Sequence, residues 1–420
     1  MEGQILEAMH YAEIGPMPGS VPYGPGIHLK RYYRYKPKCL IFYHNVSIYA
    51  YSGIQDLRIC KTSLTIAIPH AQLIGVGMMR EVLLGTKDDR SQVYLPELCI
   101  GCGTCVKTCP RGELIIGSVG AVSRGLIDKD FLEKKGKECN LCALCAKVCP
   151  TGALDFRKAG KSERDDSYLS GAMKPTVVDH GKCVRCGLCI DLCPQRCLSR
   201  DGWKLAEDGR LGVDGKVVVD LARCVHCGWC SSACPTGAIT VEKPFAGEFS
   251  RDEAVCQACR TCVDTCPANA LFNKEWKQGE IVEKVSHRKG ACIYCGACSV
   301  ACPVGAITVK KTAILPEMKK KGAFEKMVSG PSPRPSLTST LKTDSERCLG
   351  CGNCVIACPV NAFSDPYLAA GHLNELDKKP LLEVTNGSIK VVNQDVCGSC
   401  ATCSMICPTD AIWLEKKEVA

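Results

Sequence analysis

Beyond residue 94 the apolar and polar positions of the chain fall into one short pattern that recurs eight times. Each copy ends in a small residue followed by a larger apolar one: Ala153 and Leu154, Ala238 and Ile239, Ala270 and Leu271, Ala306 and Ile307, Ala362 and Phe363, Ala411 and Ile412. Two copies vary the small residue, with Glu113 before Leu114 and Cys197 before Leu198. A small residue and then a large one predicts a wall packed on something compact, leading into a short strand. Between copies, three stretches predict hairpins. Residues 198–203 face 217–221 around a turn at Asp208 and Gly209, and 270–276 face 281–285 around Gly279. Residues 382–384 face 389–392 around Asn386 and Gly387, the dipeptide most strongly tied to a two-residue hairpin turn. Before residue 94 the pattern is absent. The longest uncharged run, from Thr62 to Met79, contains Pro69, His70 and Gln72 and falls short of the ~20 apolar residues that span a bilayer. It is expected to be a buried strand pair or helix.

What precedes each wall is a run of the form CxxCxxCxxxCP. In the first half these are Cys99, Cys102, Cys105 and Cys109; Cys139, Cys142, Cys145 and Cys149; Cys183, Cys186, Cys189 and Cys193; and Cys224, Cys227, Cys230 and Cys234. The second half adds Cys256, Cys259, Cys262 and Cys266; Cys292, Cys295, Cys298 and Cys302; Cys348, Cys351, Cys354 and Cys358; and Cys397, Cys400, Cys403 and Cys407. Of the 35 cysteines in 420 residues, only Cys39, Cys60 and Cys197 lie outside these runs. Three thiolates at i, i+3 and i+6 on a tight loop reach three irons of one cubane. The residue after the second Cys is Gly in five copies (Gly103, Gly187, Gly228, Gly296, Gly352), as expected where backbone passes close to a cluster. The stretch from third to fourth Cys suits one helical turn, which the following Pro is expected to stop.

Composition narrows the chemistry further. Apolar residues make up 46% of the chain, but cysteine is a large part of them, so an ordinary hydrophobic core would be thin. A disulfide framework needs an oxidising compartment, and no signal peptide opens the chain. Structural zinc sites use two CxxC knuckles separated by a loop, not three successive Cys plus a CP. The formal charge of +9 invites a nucleic-acid reading. Eight [4Fe–4S] units of about −2 each would bring the holoprotein to about −7, so the basic excess reads as compensation for buried anionic clusters.

The run resembles the signature of the bacterial two-[4Fe–4S] ferredoxins, repeated in tandem over residues 94–414, and the chain is thus similar to the polyferredoxins. The resemblance implies an α+β fold of four ferredoxin-like modules of the βαββαβ type, with clusters in place of much of the core, behind an N-terminal extension. The expected boundaries are 1–93 for the extension, then modules at 94–160, 175–243, 250–310 and 343–416, with an exposed linker over 311–342. Repeats are expected to pair one with two, three with four, five with six and seven with eight. The short 242–255 connector argues weakly against that register. In two-cluster ferredoxins the fourth Cys ligates the other cluster, so all 32 motif cysteines are expected to hold eight [4Fe–4S] clusters crosswise.

Module count and layout resemble the iron–sulfur subunit of the tungsten or molybdenum formylmethanofuran dehydrogenases of methanogenic archaea. That likeness implies a cytoplasmic protein conducting low-potential electrons to or from the catalytic subunit of a complex, with heterodisulfide reductase or hydrogenase as further partners. The alternative is a free or hydrogenase-associated polyferredoxin that shuttles or stores electrons. No dinucleotide-binding glycine motif, Walker A sequence, nucleophile elbow or paired metal-ligating His occurs, so catalysis is expected to belong to other subunits. Neither nucleic acid nor a membrane span is expected.

A few residues stand apart. Cys197 occupies an Ala position and reads as a buried small hydrophobe rather than a ninth ligand. Cys39 and Cys60 read as structural thiols. His226, between Cys224 and Cys227, is expected to face solvent, with hydrogen bonding to a cluster sulfur the minority reading. For Arg260 an electrostatic effect that raises the potential is likewise the minority reading. The stretch from His28 to Lys38 mixes basic and aromatic residues and reads as a docking strip or exposed strand.

Overall fold

A computed structural model describes residues 80–128, 130–136, 138–163, 176–205, 213–275, 283–314, 333, 339–365 and 380–416. The expectations for residues 1–79, including the uncharged run, the basic–aromatic stretch, Cys39 and Cys60, lie outside the described residues, as do most of the 311–342 linker and the turns at Gly279 and at Asp208 and Gly209.

The elements are short, and strand pairing groups the repeats two by two. The strand Arg90–Tyr94, just before the first repeat, pairs antiparallel with Leu154–Lys158, just after the second. Val177–Val178 before the third pairs with Ile239–Thr240 after the fourth. Phe245–Arg251 before the fifth pairs with Ile307–Ile314 after the sixth, and Ser339–Thr343 before the seventh with Ile412–Lys416 after the eighth. The short connector between the fourth and fifth repeats is thus nearly all strand, which explains its length. Residues assigned to the extension also join the first of these sheets: Val82–Lys87 forms a hairpin with Arg90–Tyr94.

Inside each closed pair lies a second hairpin. Leu382–Thr385 and Ser388–Val391 flank Asn386 and Gly387, whose φ of 53° and 74° give the primed turn that the dipeptide favours. Leu198–Leu205 pairs with Val213–Val219, longer than its apolar pattern suggests because a bulge between Asp201 and Lys204 resets the alternation. Leu271–Phe272 pairs with Ser286–His287, so the second strand of that hairpin lies later than the 281–285 expected. Leu114–Ile116 pairs with Leu132–Lys134, a hairpin with no strong turn signal, and the helix Val119–Ser123 is inserted between its strands.

The seventh repeat departs from the expected wall-then-strand. Pro359 does not end the structure there but opens a helix, Pro359–Ser364, at a position where a missing N–H costs nothing. Ala362 is therefore helical and Phe363 is half exposed. Asn361 accounts for the change. Its fully buried amide donates to the carbonyls of Val355 and Leu382 and accepts from the Leu381 N–H, replacing a strand's hydrogen bonds with side-chain ones.

Core packing runs between these pairs as well as within them. One apolar cluster joins Leu144 and Val148 with Val225 and Trp229, and with Ala268, Ile293 and Ala297. The helix Val119–Ser123 lies against the fifth and eighth repeats. A Cβ on Gly120 would meet Thr261 Cγ2 at 2.7 Å and Cys400 Cα at 3.1 Å, so only glycine allows the approach. Buried Ser118, Ser339 and Ser399 hydroxyls form a chain beside it, at 2.8 and 3.0 Å. Arg124, just past the helix, is buried and ties three segments. It donates to the carbonyls of Cys259 (2.9 Å) and Cys400 (2.6 Å) and to Thr402 Oγ1 (2.9 Å), and pairs with Asp264 at 2.9 Å.

Arg124→Ala strands two carbonyls and a carboxylate, at a cost of about 3 kcal/mol. The expected outcome is loss of the visible absorbance of the iron-loaded protein at a lower temperature on anaerobic heating. An unchanged melting profile counts against the role given to this side chain.

Candidate iron–sulfur centres

Each repeat folds into the same loop, and its geometry follows from two left-handed residues. The residue two after the first Cys has positive φ in every copy: Gly101, Leu141, Arg185, His226, Ala258, Tyr294, Gly350 and Ser399. So does the residue after the second Cys, including Ala143, Arg260 and Ala401 where glycine is absent. This conformation costs a non-glycine residue about 1–2 kcal/mol, so several loops hold real strain. Leu141, Tyr294 and His226 offset part of it by burying their side chains. A helical turn then carries the third Cys, as in Thr104–Thr108 or Ala297–Ala301, and ends at the fourth.

The small residue four positions after the last Cys has a purpose that composition does not reveal. Its N–H donates to that Cys Sγ, at 3.2 Å from Ala238, Ala270, Ala306 and Ala411 and 3.4 Å from Glu113 and Cys197. Further N–H donors reach first-position sulfurs, from Leu141 to Cys139, Tyr294 to Cys292, and Gly350 and Ile389 to Cys348. Donors to a sulfur favour its thiolate form.

The thiols of each loop gather with a thiol from its paired loop. Cys99, Cys102 and Cys105 have Cys149 as electrostatic neighbour. Cys139, Cys142 and Cys145 share a cavity of about 420 Å³ with Cys109. Cys183, Cys186 and Cys189 gather with Cys234. Cys224, Cys227 and Cys230 line a cavity of about 350 Å³ with Cys193. Cys256, Cys259 and Cys262 gather with Cys302, and Cys292, Cys295 and Cys298 with Cys266. Cys348, Cys351 and Cys354 line another cavity of about 350 Å³ with Cys407. Cys397, Cys400 and Cys403 gather with Cys358.

Burial raises many of these thiols, Cys99 and Cys262 to about 12. Thiols in such surroundings need a cation to be ionised. A single tetrahedral ion with metal–sulfur bonds of about 2.3 Å requires sulfurs about 3.8 Å apart. Among the described residues no group of three or more His, Cys, Asp or Glu side chains is gathered that tightly. Four thiols facing one another across an apolar hollow, with N–H groups aimed at the sulfurs, fit a cubane cluster instead. Bound there, such a cluster supplies reversible one-electron transfer.

Some participants had no signal in the sequence. The buried Tyr94 hydroxyl, at the end of its strand, accepts from the Phe131 N–H and neighbours Cys99 closely enough to favour its thiolate. Lys311, buried, donates to the Cys295 carbonyl at 2.9 Å and lies close enough to Cys102 to favour its thiolate. Lys243 donates to the carbonyls of Gly290 and Cys292 and sits near both Cys292 and Cys227; burial lowers its pKa. Two lysines therefore stand where thiol groups of different pairs approach each other. Glu113 is buried, with neither carboxylate oxygen hydrogen-bonded, on the wall of the Cys109 cavity.

His226 corrects an expectation. It is buried rather than solvent-facing, because Thr176 covers it, with Oγ1 3.1 Å from Nδ1 and 3.4 Å from Cys224 Sγ. Arg260 is exposed. Cys197 is buried, as expected of a small apolar residue, but its sulfur lies 3.4 Å from Cys193 Sγ. Of the described cysteines only Cys186 and Cys351 are exposed, and Val184 and Leu188 beside the first, like Leu349 beside the second, leave large apolar surface in water.

The 4Fe-4S dicluster domain matches residues 98–153, 138–197, 182–238, 223–270, 255–306 and 291–362, and a second form of it matches 340–408. The chain belongs to the 4Fe-4S dicluster ferredoxin family. The domains stand in tandem, and the matches overlap so that every consecutive pair of repeats satisfies the pattern. Among curated proteins, a subunit of the tungsten-containing formylmethanofuran dehydrogenase 2 of Methanopyrus kandleri is 51% identical over 46 residues, which is 11% of this chain and 58% of that one. The polyferredoxin protein FwdG of Methanocaldococcus jannaschii is 48% identical over 50 residues, 12% of this chain and 58% of its own length. The chain thus spans somewhat over half the length of these relatives. Among solved structures, a chain of the formate dehydrogenase–heterodisulfide reductase–formylmethanofuran dehydrogenase complex of Methanospirillum hungatei superposes with a TM-score of 0.51 at 29% identity. That match covers 61% of this chain and 94% of the other. No helix among the described residues is long and apolar enough to cross a membrane.

The crosswise grouping makes a distinct expectation for a single ligand. Cys109→Ser is expected to remove or alter the centre held by Cys139, Cys142 and Cys145 while sparing the one formed by Cys99, Cys102 and Cys105. Electron paramagnetic resonance against Cys142→Ser and Cys102→Ser reference variants reads this out. A spectrum matching the Cys102 variant overturns the wiring.

Proposed function

We propose that this ferredoxin chain is the electron-conducting polyferredoxin subunit of a formylmethanofuran dehydrogenase complex, with four two-cluster modules and eight [4Fe–4S] clusters held crosswise by the 32 motif cysteines. The observation that carries the reading is the convergence of four thiols, three from one loop and one from its strand-paired partner, eight times in one chain. Strand closure around each pair supports four modules, the second near the expected 175–243 and the others wider than the expected 94–160, 250–310 and 343–416. The first sheet reaches back to Val82, the third runs from Phe245 to Ile314 and the fourth begins at Ser339, so both ends of the expected 311–342 linker are buried strand.

Conduction among the first three pairs is supported by neighbour relations between centres. Within a pair, Cys105 has Cys145 as neighbour and Cys298 has Cys262. Between pairs, Cys295 has Cys102 as neighbour, and Lys243 spans Cys292 and Cys227. The pair holding repeats five and six therefore acts as a hub. The exposed Cys186 and Cys351, each in apolar surroundings, are places where electrons cross to or from a partner protein. Substrate chemistry is assigned to the catalytic and electron-accepting subunits, including heterodisulfide reductase or hydrogenase components, which complete the reaction. The names and superposition of the relatives support those partners.

Anaerobic purification of the chain from its native source is expected to give about 32 iron and 32 sulfide per chain, since each cubane holds four of each, in a stable assembly with a tungsten or molybdenum subunit. A monodisperse free protein with full iron points to the shuttle reading. Chelation of the iron is expected to abolish the far-ultraviolet signature of folded structure, because the clusters stand where a core would be. An apoprotein that stays folded contradicts that account.

A further inference from the structure

Among the described residues, seven of the eight thiol groups contain only motif cysteines; the group of Cys193, Cys224, Cys227 and Cys230 has a fifth sulfur in its wall. Cys197 Sγ lies 3.4 Å from Cys193 Sγ and lines the same cavity as Cys224, Cys227 and Cys230. Its backbone N–H also donates to Cys193 Sγ at 3.4 Å. We propose that Cys197 is a positioning residue for this centre, a thiol whose S–H is donated to the Cys193 sulfur and raises the centre's reduction potential above what alanine would set.

The direction of the hydrogen bond follows from the chemistry of the group. When Cys193 binds iron it is a thiolate and has no proton to give, so the hydrogen between the two sulfurs must belong to Cys197. Hydrogen bonds to cluster sulfurs stabilise the more negative, reduced state and so raise the potential. A second donor works in the same sense. The Thr176 hydroxyl lies 3.4 Å from Cys224 Sγ, and its oxygen is free to accept from His226 Nδ1 at 3.1 Å. Both donors come from outside the CxxCxxC loop they serve, whereas the threonines beside Cys102, Cys259 and Cys400 lie within their own loops.

The position gives the donor a use. This centre faces the hub across Lys243, while its module partner (Cys183, Cys186, Cys189 and Cys234) includes the exposed Cys186. A thiol donor on the inner centre biases an electron toward the hub side of this branch.

The inference rests on the reading that the loop binds a cluster, and the test separates the two. Cys197→Ala places the residue that six other repeats carry at this position, so folding and assembly are expected to survive. In the holoprotein, a redox titration followed by electron paramagnetic resonance is expected to show unchanged iron and one centre whose reduction equilibrium falls several-fold, where tenfold would be about 59 mV for a one-electron couple. Cys197→Ser, which keeps a donor, is expected to restore most of the shift. Full iron with all potentials unmoved in the Ala variant overturns the proposal. So does loss of four irons, which would make Cys197 a ligand rather than a donor. Absence of iron from the wild-type chain would instead remove the cluster reading itself.

Discussion

The constraint on which the structure depends is that each thiol group is completed by a residue from another loop. A CxxCxxC loop supplies three sulfurs from seven residues. The fourth arrives from a repeat 30 to 50 residues away in sequence, at the end of a helical turn. Pairing of loops is therefore a requirement of the centres, and the flanking strands close around it: Arg90–Tyr94 on Leu154–Lys158, Phe245–Arg251 on Ile307–Ile314. The strands are too short to hold a module alone. They align two loops so that four sulfurs surround one apolar cavity.

Charge is handled by the same economy of placement. Anionic clusters in a buried setting are stabilised by N–H donors and by cations held near them. Backbone donors come with the loop and are shared by the repeats. The cations are not: Lys311 and Lys243 are held by backbone carbonyls at the points where one pair meets the next. A positive charge between two negative centres lowers their mutual repulsion, which lets them approach. The net basic composition is thus spent in part at specific junctions.

Tandem ferredoxin repeats need not lie in a row, and here the fifth and sixth repeats touch segments of the other three pairs. Arg124, from the first pair, bonds Cys259 and Cys400. Gln195 and Trp229, from the second, donate to Pro267 and Ala268. A central pair gives an electron a choice of branches, and a branch then needs some means of setting where the electron rests. Cys197, whose sulfur lies 3.4 Å from Cys193 Sγ, is the side chain we propose for that role.

The amino-acid sequence by itself determined the three thiols of each loop and the loop shape, because these depend on spacing within a dozen residues: Cys at i, i+3 and i+6, glycine at a left-handed position, a small residue that lets an N–H reach sulfur. It also determined the Asn386 and Gly387 hairpin, whose turn is a property of two residues. Other features were decided only when distant segments met. Phe363 left its strand because Asn361 found partners at residues 381 and 382. His226 was buried by Thr176, fifty positions away, and the branch order was set by Gly120 and Arg124 fitting between repeats from the far half of the chain. Periodicity and spacing report on neighbours along the chain; contacts across it are set by shape and charge that no local pattern encodes.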